Sequence, residues 1–437
     1  MSVLTSNFPF ASDSRRLHVR FVHNILKIVD YAPSLHSDIL SLVTERLVKI
    51  DVQVQGDLRD LPEDLMEAVI EELASGRGGQ EDLFDDENSD DESDLDEFLD
   101  SQAVQKKEIQ DNIVKLDILL DMLFSHYATL FTSPSSETRL FAFDALLAHF
   151  GSHILPTYRS RHTQFLLFHF AQTSPSLVDT FVGAVIHIAF DKSRPALIRQ
   201  SAAAYLASFV SRGNHIPTHI VRDVFEYIGS QLALIRKASE PTCTGPDPRR
   251  YSTFYSLTQA LLYIFCFRWR DLVTTSDDPR SPSPYSSPVD TTDALFPPSF
   301  LPSVKDTLSQ TIFSPLNPLK VCAPPIVDEF ARIANHLGVV YVFHLLETNK
   351  RVRLICVAPA TAEQRETAIS GKIDDEWYRL DAYFPFDPYR LPSSKRWIDG
   401  DYREWEDVPG LDDGEESSEE EDDDVEEGEE ATATDEE

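Results

Sequence analysis

The sequence predicts an all-α fold, a HEAT-like α-solenoid of antiparallel helix pairs. Three observations carry that expectation. Apolar residues recur at three- and four-residue steps through most of the chain, the period of a helix buried on one face. Proline and glycine interrupt these stretches at short intervals, and Ser-Pro or Asn-Pro marks helix starts at Ser133, Ser174 and Asn317. Residues 194–232 read as two amphipathic helices, neither of which can bury its apolar face without a similar pair on each side.

That pair sets the pattern. Pro195 sits in the first turn of its first helix, where a missing N–H costs nothing. Ile198, Ala202, Tyr205 and Phe209 form one stripe, and Ala202-Ala203-Ala204 lets a neighbour approach closely. Gly213-Asn214 is expected to stop the helix in a left-handed conformation. Pro217 opens the second helix, with Ile220, Val224 and Ile228 inward. Arg199 is expected to donate a hydrogen bond between repeats.

The rest of the chain divides by composition. Residues 1–13 read as a disordered lead-in. Residues 14–80 hold N-terminal HEAT-like helices at 15–31, 36–50 and 62–74. Residues 81–104 form an acidic loop, with 12 acidic and no basic residues between 81 and 100. Such a block cannot build a packed face. Residues 105–273 carry the central repeats, with helices at 106–131, around Leu140 to Phe150, at 159–171, 175–190, the 194–232 pair, and 251–270. Residues 274–300 are a Ser/Pro-rich flexible insertion. In residues 301–407, Asn317-Pro318 is expected to cap a helix containing Leu319, Val321, Ile326 and Phe330. The β-branched runs at 339–343 and 352–357 leave two readings open, a hairpin or a helix over 339–347. Residues 380–407 lack a helical period. They read as an extended segment laid over the last helices, anchored by Tyr383, Phe384, Phe386, Trp397, Tyr402 and Trp405. Residues 408–437 are an acidic disordered tail.

Charge bounds the function. The net charge is −35, but residues 401–437 alone hold 21 acidic residues against one arginine. Setting both acidic tracts aside leaves 41 acidic against 38 basic side chains. The body is therefore not a basic nucleic-acid binder, and no direct sequence-specific nucleic-acid contact is expected. No membrane span or signal peptide is apparent, and Cys243, Cys266, Cys322 and Cys356 lack metal or redox spacing. Catalysis has no constellation. Gly76–Gly79 lacks the Lys-Ser/Thr of a phosphate loop, and His149, His153, His162 and His169 lack an HExxH arrangement, so neither cofactor nor metal is expected. Basic clusters at Arg15-Arg16, Arg159 to His162, Arg249-Arg250, Lys350 to Arg353 and Lys395-Arg396 read singly as solvated ends, and together as material for a protein-binding face. Ser89, Ser93, Ser417 and Ser418 each have an acidic residue three positions on and suit an acidophilic kinase. Ser281, Ser283 and Ser287 precede proline.

Five blocks resemble one family: LVTERLVKIDVQVQ from Leu42, PALIRQSAAAYLASFVSRGNHIP from Pro195, FYSLTQALLYIFCFR from Phe254, SPLNPLKVCAPPIVDEF from Ser314, and FPFDPYRLPSSKRWID with WED from Phe384. They are similar to the RNA polymerase I-specific transcription initiation factors of the TIF-IA type. The resemblance implies a nuclear, nucleolar HEAT-repeat protein that binds the stalk region of RNA polymerase I. Such a protein bridges the polymerase to promoter-bound core factor for ribosomal RNA transcription and is switched by protein kinases. It implies a serine-bearing polymerase-binding surface on the N-terminal half, for which Ser34, Ser37 and Ser41 are the matches. Residues 1–13 look unrelated to the family or truncated, so the N-terminal cap is expected to be incomplete. A homodimer is left open. The competing reading is a HEAT-like nuclear transport receptor or scaffold adaptor, which leaves the FPFDPY to WED block unexplained.

Overall fold

In the computed structural model of the protein, residues 1–61, 97–158, 160–274, 298–357 and 379–411 are described, without the side chains of 30, 97–104 and 352–357. The helices run α1 (Ser2–Ser6), α2 (Arg15–Tyr31), α3 (His36–Arg59), α4 (Glu97–Phe131), α5 (Ser136–His149), α6 (Phe165–Ala171), α7 (Pro175–Phe190), α8 (Ala196–Arg212), α9 (Thr218–Ser239), α10 (Ser252–Arg268), α11 (Pro302–Ile312), α12 (Pro324–His336) and α13 (Phe343–Val357). Among the described residues β-structure amounts to two isolated antiparallel bridges, Gly213 to Tyr402 and Val273 to Phe300. The fold is the expected all-α one.

Helices stack on sequence neighbours, as a solenoid requires. At the N-terminal end α2, α3 and α4 pack together, and α4 also meets α5. In the centre α8 lies between α7 and α10, and α10 also contacts α9 and α12. The alanine face of α8 is the reason for the close α8–α10 approach, with Ala202, Ala203 and Ala207 all buried. From Phe254 to Cys266 α10 is buried nearly all round, so it reads as a core helix without an amphipathic stripe. Gly229 does for α9 and α11 what alanine does for α8, since a Cβ there would lie 2.7 Å from the Thr307 methyl.

Several expectations change. The lead-in carries α1, and Phe8 is 7% exposed, edge-on to Phe21 at 5.0 Å with the Arg46 guanidinium over its ring. Lys115 of α4 donates to the carbonyls of Ala11 and Asp13 at 2.8 Å each. Gly213 is not left-handed. Its φ is −69° and ψ 123°, and it is required for space, because a Cβ would sit 2.5 Å from Ile216 Cδ1. The Arg199 Nε is buried without a partner, so the expected inter-repeat donor is not realised there. The helix expected from Asn317 begins at Pro324. Asn317 itself takes a left-handed turn (φ 43°) into one 3-10 turn, and tandem Pro324-Pro325 forces the α-helix to start afresh, since neither proline has an N–H to continue an earlier one. α11 was not among the expected helices, although proline after Leu301 with Val304 and Leu308 one turn apart is a legible signal for it.

A helix forms rather than a hairpin, but over Phe343–Val357, so residues 339–342 of the helix expected over 339–347 lie ahead of it. Within it Asn349 is 7% exposed and pairs amide to amide with Asn317 at 2.7 and 3.2 Å. The base of the Ser/Pro-rich insertion is closed by Thr274 N–H to Ser299 O at 2.7 Å and Leu301 N–H to Leu272 O at 3.1 Å. Of the acidic loop expected over 81–104, residues 97–104 belong to α4, and of the tail expected from 408, Val408 is buried in the strap, while 81–96, most of the insertion, the 62–74 helix and 412–437 lie outside the described residues.

Candidate interaction surface

The three serines of the N-terminal half lie on one turn and one helix face. Ser34 is exposed in the 3-10 turn Pro33–Leu35, Ser37 is exposed in the first turn of α3, and Ser41 follows one turn on, half-buried. The i,i+4 spacing of Ser37 and Ser41 matches that of His149 and His153 opposite. Ser41 Oγ lies 2.8 Å from His153 Nε2, and Ser37 Oγ lies 3.5 Å from His149 Nε2. A π-helical turn, Phe150–Ile154, follows α5 directly and places His153. His149 and His153, from which no metal site was expected, are thus partners of the serines. Among the described residues no group of three or more His, Cys, Asp or Glu side chains could hold a metal ion.

His36 completes this neighbourhood. Its ring lies 5.9 Å from His126 and 6.0 Å from Phe141, which is 59% exposed. Both His36 nitrogens, and Nδ1 of His149, are buried without hydrogen-bond partners. Burial pulls His36 below its usual range, and burial followed by the nearby His153 pushes His149 down to about 4. An unfolded histidine takes its proton near pH 6.5, so between 6.5 and 4 the unfolded state binds more protons than the folded one. Stability is full above about pH 6.5 and falls by roughly 1.4 kcal/mol per pH unit as the pH drops towards 4. Replacing His149 with glutamine flattens this slope in urea midpoints taken from pH 7 to 4.5. An unchanged slope would mean that His149 is protonated in the folded protein.

A buried carboxylate fixes the next turn. Asp51 of α3 is fully buried, and its Oδ2 accepts from the N–H groups of Arg161 (3.1 Å), His162 (2.8 Å) and Thr163 (3.0 Å) and from the Ser160 and Thr163 hydroxyls. Its Oδ1 lies 3.0 Å from His162 Nδ1. Burial opposes ionisation here, but His162 and the backbone donors outweigh it and hold the carboxyl below its usual range. α6 begins at Phe165 rather than at Arg159, and the N–H groups of Arg161, His162 and Thr163 ahead of it are held by Asp51, a side-chain acceptor 110 residues away from Arg161.

Residues 379–411 form an extended strap, as the aromatic pattern suggested, but it lies mainly across α4, α6, α8 and α10 rather than over the last helices. Phe386 is fully buried among Phe165, Phe168, Tyr205 and Phe209, its N–H bonded to Ser208 Oγ at 2.9 Å. Phe384 stacks on Tyr263 at 3.7 Å, and Trp397 stacks on Phe124. Tyr383 donates to Ser160 O at 2.5 Å, and Gln164 to Pro385 O at 2.7 Å. Trp405 packs edge-on to Phe267 but stays 37% exposed.

Sequence reasoning missed the polar anchors of the strap. Asp117 of α4 is 2% exposed and caps the turn at Ser393 and Ser394 through both backbone N–H groups, 2.8 Å each, and the Ser394 hydroxyl. Asp121, one turn on, accepts from Arg396 Nη2 and from Trp397 Nε1. Asp401 meets His169 Nδ1 at 2.5 Å and His215 Nε2 at 3.2 Å, while the Asn214 N–H bonds to its carbonyl at 2.8 Å. Beneath the bridge from Gly213 to Tyr402, Arg268 is 2% exposed and donates to the carbonyls of Val210 (3.1 Å), Gly213 (3.0 Å) and Ile216 (3.0 Å) and to Asp271 (2.5 Å). Asp117 and Asp121 at i,i+4 within the otherwise apolar run Leu116 to Phe124 were the available signal. The acidophilic-kinase candidates Ser89, Ser93, Ser417 and Ser418 and the proline-directed Ser281, Ser283 and Ser287 lie outside the described residues.

Residues 1–410 match the family described as "RNA polymerase I specific transcription initiation factor RRN3". The match begins at residue 1, so the lead-in is not unrelated to the family. The chain is 29% identical over 419 residues to "RNA polymerase I-specific transcription initiation factor rrn3" of Schizosaccharomyces pombe, covering 95% of this chain and 64% of that protein. It is 30% identical over 416 residues to the Mus musculus protein of the corresponding name, covering 93% of this chain and 58% of that one. This chain thus spans about three fifths of those two relatives. A solved structure titled "Crystal Structure of RNA Polymerase I Transcription Initiation Factor Rrn3" superposes with a TM-score of 0.67 at 26% identity, covering 92% of this chain and 69% of that one. The family is described as one of initiation factors, not of enzymes. This chain belongs to the RNA polymerase I-specific transcription initiation factor RRN3 family.

Proposed function

We propose that this protein acts in the nucleus, at nucleolar ribosomal DNA, as an RNA polymerase I-specific transcription initiation factor. In this reading it binds the polymerase in its stalk region and bridges it to promoter-bound core factor, and protein kinases switch it off. The observation that carries the reading is the family match over nearly the whole chain, strap included. A transport receptor or scaffold adaptor has no use for a strap that fills its own solenoid face with Phe384, Phe386 and Trp397. Tagged protein from growing cells is expected to bring down polymerase I subunits, and their absence would sink the proposal.

Ser34, Ser37 and Ser41 are the proposed polymerase-binding serines. Exposed Ser34 and Ser37 accept a phosphate without unfolding α3. That phosphate sets roughly −1.5 to −2 charge and its hydration shell into the interface. Replacing Ser34 and Ser37 together with glutamate is expected to weaken polymerase binding about 10-fold, and alanine to leave it nearly unchanged. Equal affinities of the two variants in a pull-down with purified polymerase I remove this surface from consideration.

A further inference from the structure

The outer face of α2 is a basic ridge. Arg16, Arg20, His23 and Lys27 are all exposed and follow one another at four, three and four residues. At about 100° per residue this spacing holds them within roughly 60° of arc, along about 16 Å of helix. Exposed Leu17 (48%) and Tyr31 (74%) flank the ridge on one side. The opposite face is core, with His18, Val22, Ile25 and Val29 buried. No acidic residue occurs between Arg15 and Val29, and Asp30, three residues after Lys27, is the one acid of α2. Among the described residues neither Arg20 nor Lys27 forms an ion pair.

Such a face costs the free protein stability. Arg16 with Arg20, and His23 with Lys27 when the imidazole is charged, are like-charge pairs at i,i+4, each worth a few tenths of a kcal/mol against the helix. A face serving only solvation mixes its signs, as Glu45 and Lys49 do on α3 at 2.6 Å. The ridge also points somewhere. Its C-terminal end runs through Tyr31 into the turn Pro33–Leu35, which carries exposed Ser34, and on to exposed Ser37.

We propose that α2 is the electrostatic arm of the polymerase-docking face and that it engages a carboxylate-rich segment of a polymerase subunit. Arg20 and Lys27 supply the attraction, and Leu17 and Tyr31 pack against the apolar part of that segment. The proposal rests on the polymerase-binding reading above. It gives phosphorylation a physical route, since a phosphate on Ser34 stands at the end of the ridge and competes in cis with the partner's carboxylates for the same cations. Charge complementarity of this kind acts mainly on the rate of encounter and on its salt dependence.

The test uses the full chain and purified RNA polymerase I, with association followed at 50 and 200 mM salt. Wild-type association is expected to slow with salt. The double reversal R20E/K27E lowers the association rate at least 10-fold at low salt and flattens the salt dependence, and R20Q/K27Q falls between the two. Both variants leave the buried face of α2 intact, and should R20E/K27E lose helical circular dichroism, R20Q/K27Q decides alone. Wild-type binding with unchanged rates and salt slope in the variants overturns the proposal. So does a loss confined to binding of a 20-base-pair DNA duplex, which would make the ridge a nucleic-acid surface. A wild-type chain that does not bind polymerase at all instead overturns the reading on which the ridge proposal rests.

Discussion

Replacing Arg268 with methionine is expected to destabilise the protein by about 3–5 kcal/mol, the cost of leaving buried polar partners uncompensated. The guanidinium gathers three carbonyls from the end of α8 and the turn after it, Val210, Gly213 and Ile216, at 3.0–3.1 Å. The same turn carries the bridge to Tyr402 of the strap, so its loss reaches beyond α10. Burial pulls the Arg268 pKa down, and Asp271 at 2.5 Å opposes this and keeps the charge in place. Methionine fills similar volume without donors, which isolates the polar term from a cavity term. Lysine restores a charge but not the planar fork that serves several acceptors at once, and should recover less than half of the loss. Urea midpoints of the three proteins measure this. A methionine variant within about 0.5 kcal/mol of wild type, the range of an ordinary surface change, would show that water serves those carbonyls equally well.

Arg268 also marks where the sequence stops being informative. Its helix was legible, because a run such as Phe254 to Phe267 admits little else, and so was the extended character of the strap, because prolines and aspartates break any period. Local chemistry placed the start at Ser174-Pro175 and set Pro195 and Pro217 at the caps of α8 and α9, one residue ahead of each helix, while α5 starts at Ser136, two residues after Pro134. The misses share a cause in contacts between residues far apart in the chain. Asp51 holds the turn ahead of α6, 110 residues away, and Asn349 is buried in α13 through its pairing with Asn317. Gly213 looked like a helix stop for its conformational freedom, yet it is needed because Ile216 leaves no room for a Cβ. A spacing pattern reports which face of an element is buried, not which polar group waits there. The same limit applies to the serine surface: Ser37 and Ser41 could be nominated, but not their alignment with His149 and His153, which depends on a π-turn.

Replacing Asp51 with asparagine is expected to cost about 3–5 kcal/mol and to change how the protein responds to acid. Asparagine keeps the shape but halves the acceptor capacity and turns an NH2 towards donors, and one Oδ2 now serves three backbone N–H groups and two hydroxyls. The folded-state pKa of Asp51 lies below the unfolded value near 3.9, so its contribution is complete above that pH and lost as the pH falls through the lower folded value. His149 acts in a different window, between about 6.5 and 4. Wild-type stability should therefore fall in two stages on acidification. Asp51→Asn removes the second stage and leaves the first, which is the reverse of the histidine variant. The change also propagates to the strap, since the turn Asp51 holds is the one whose Ser160 carbonyl accepts from Tyr383 and whose Gln164 donates to Pro385. Amide exchange at Phe386 should quicken in Asp51→Asn more than exchange within α12, which lies away from that turn. Equal acceleration in both would mean that the variant loosens the solenoid as a whole, and that Asp51 is a general stabiliser rather than the link between α3 and the strap.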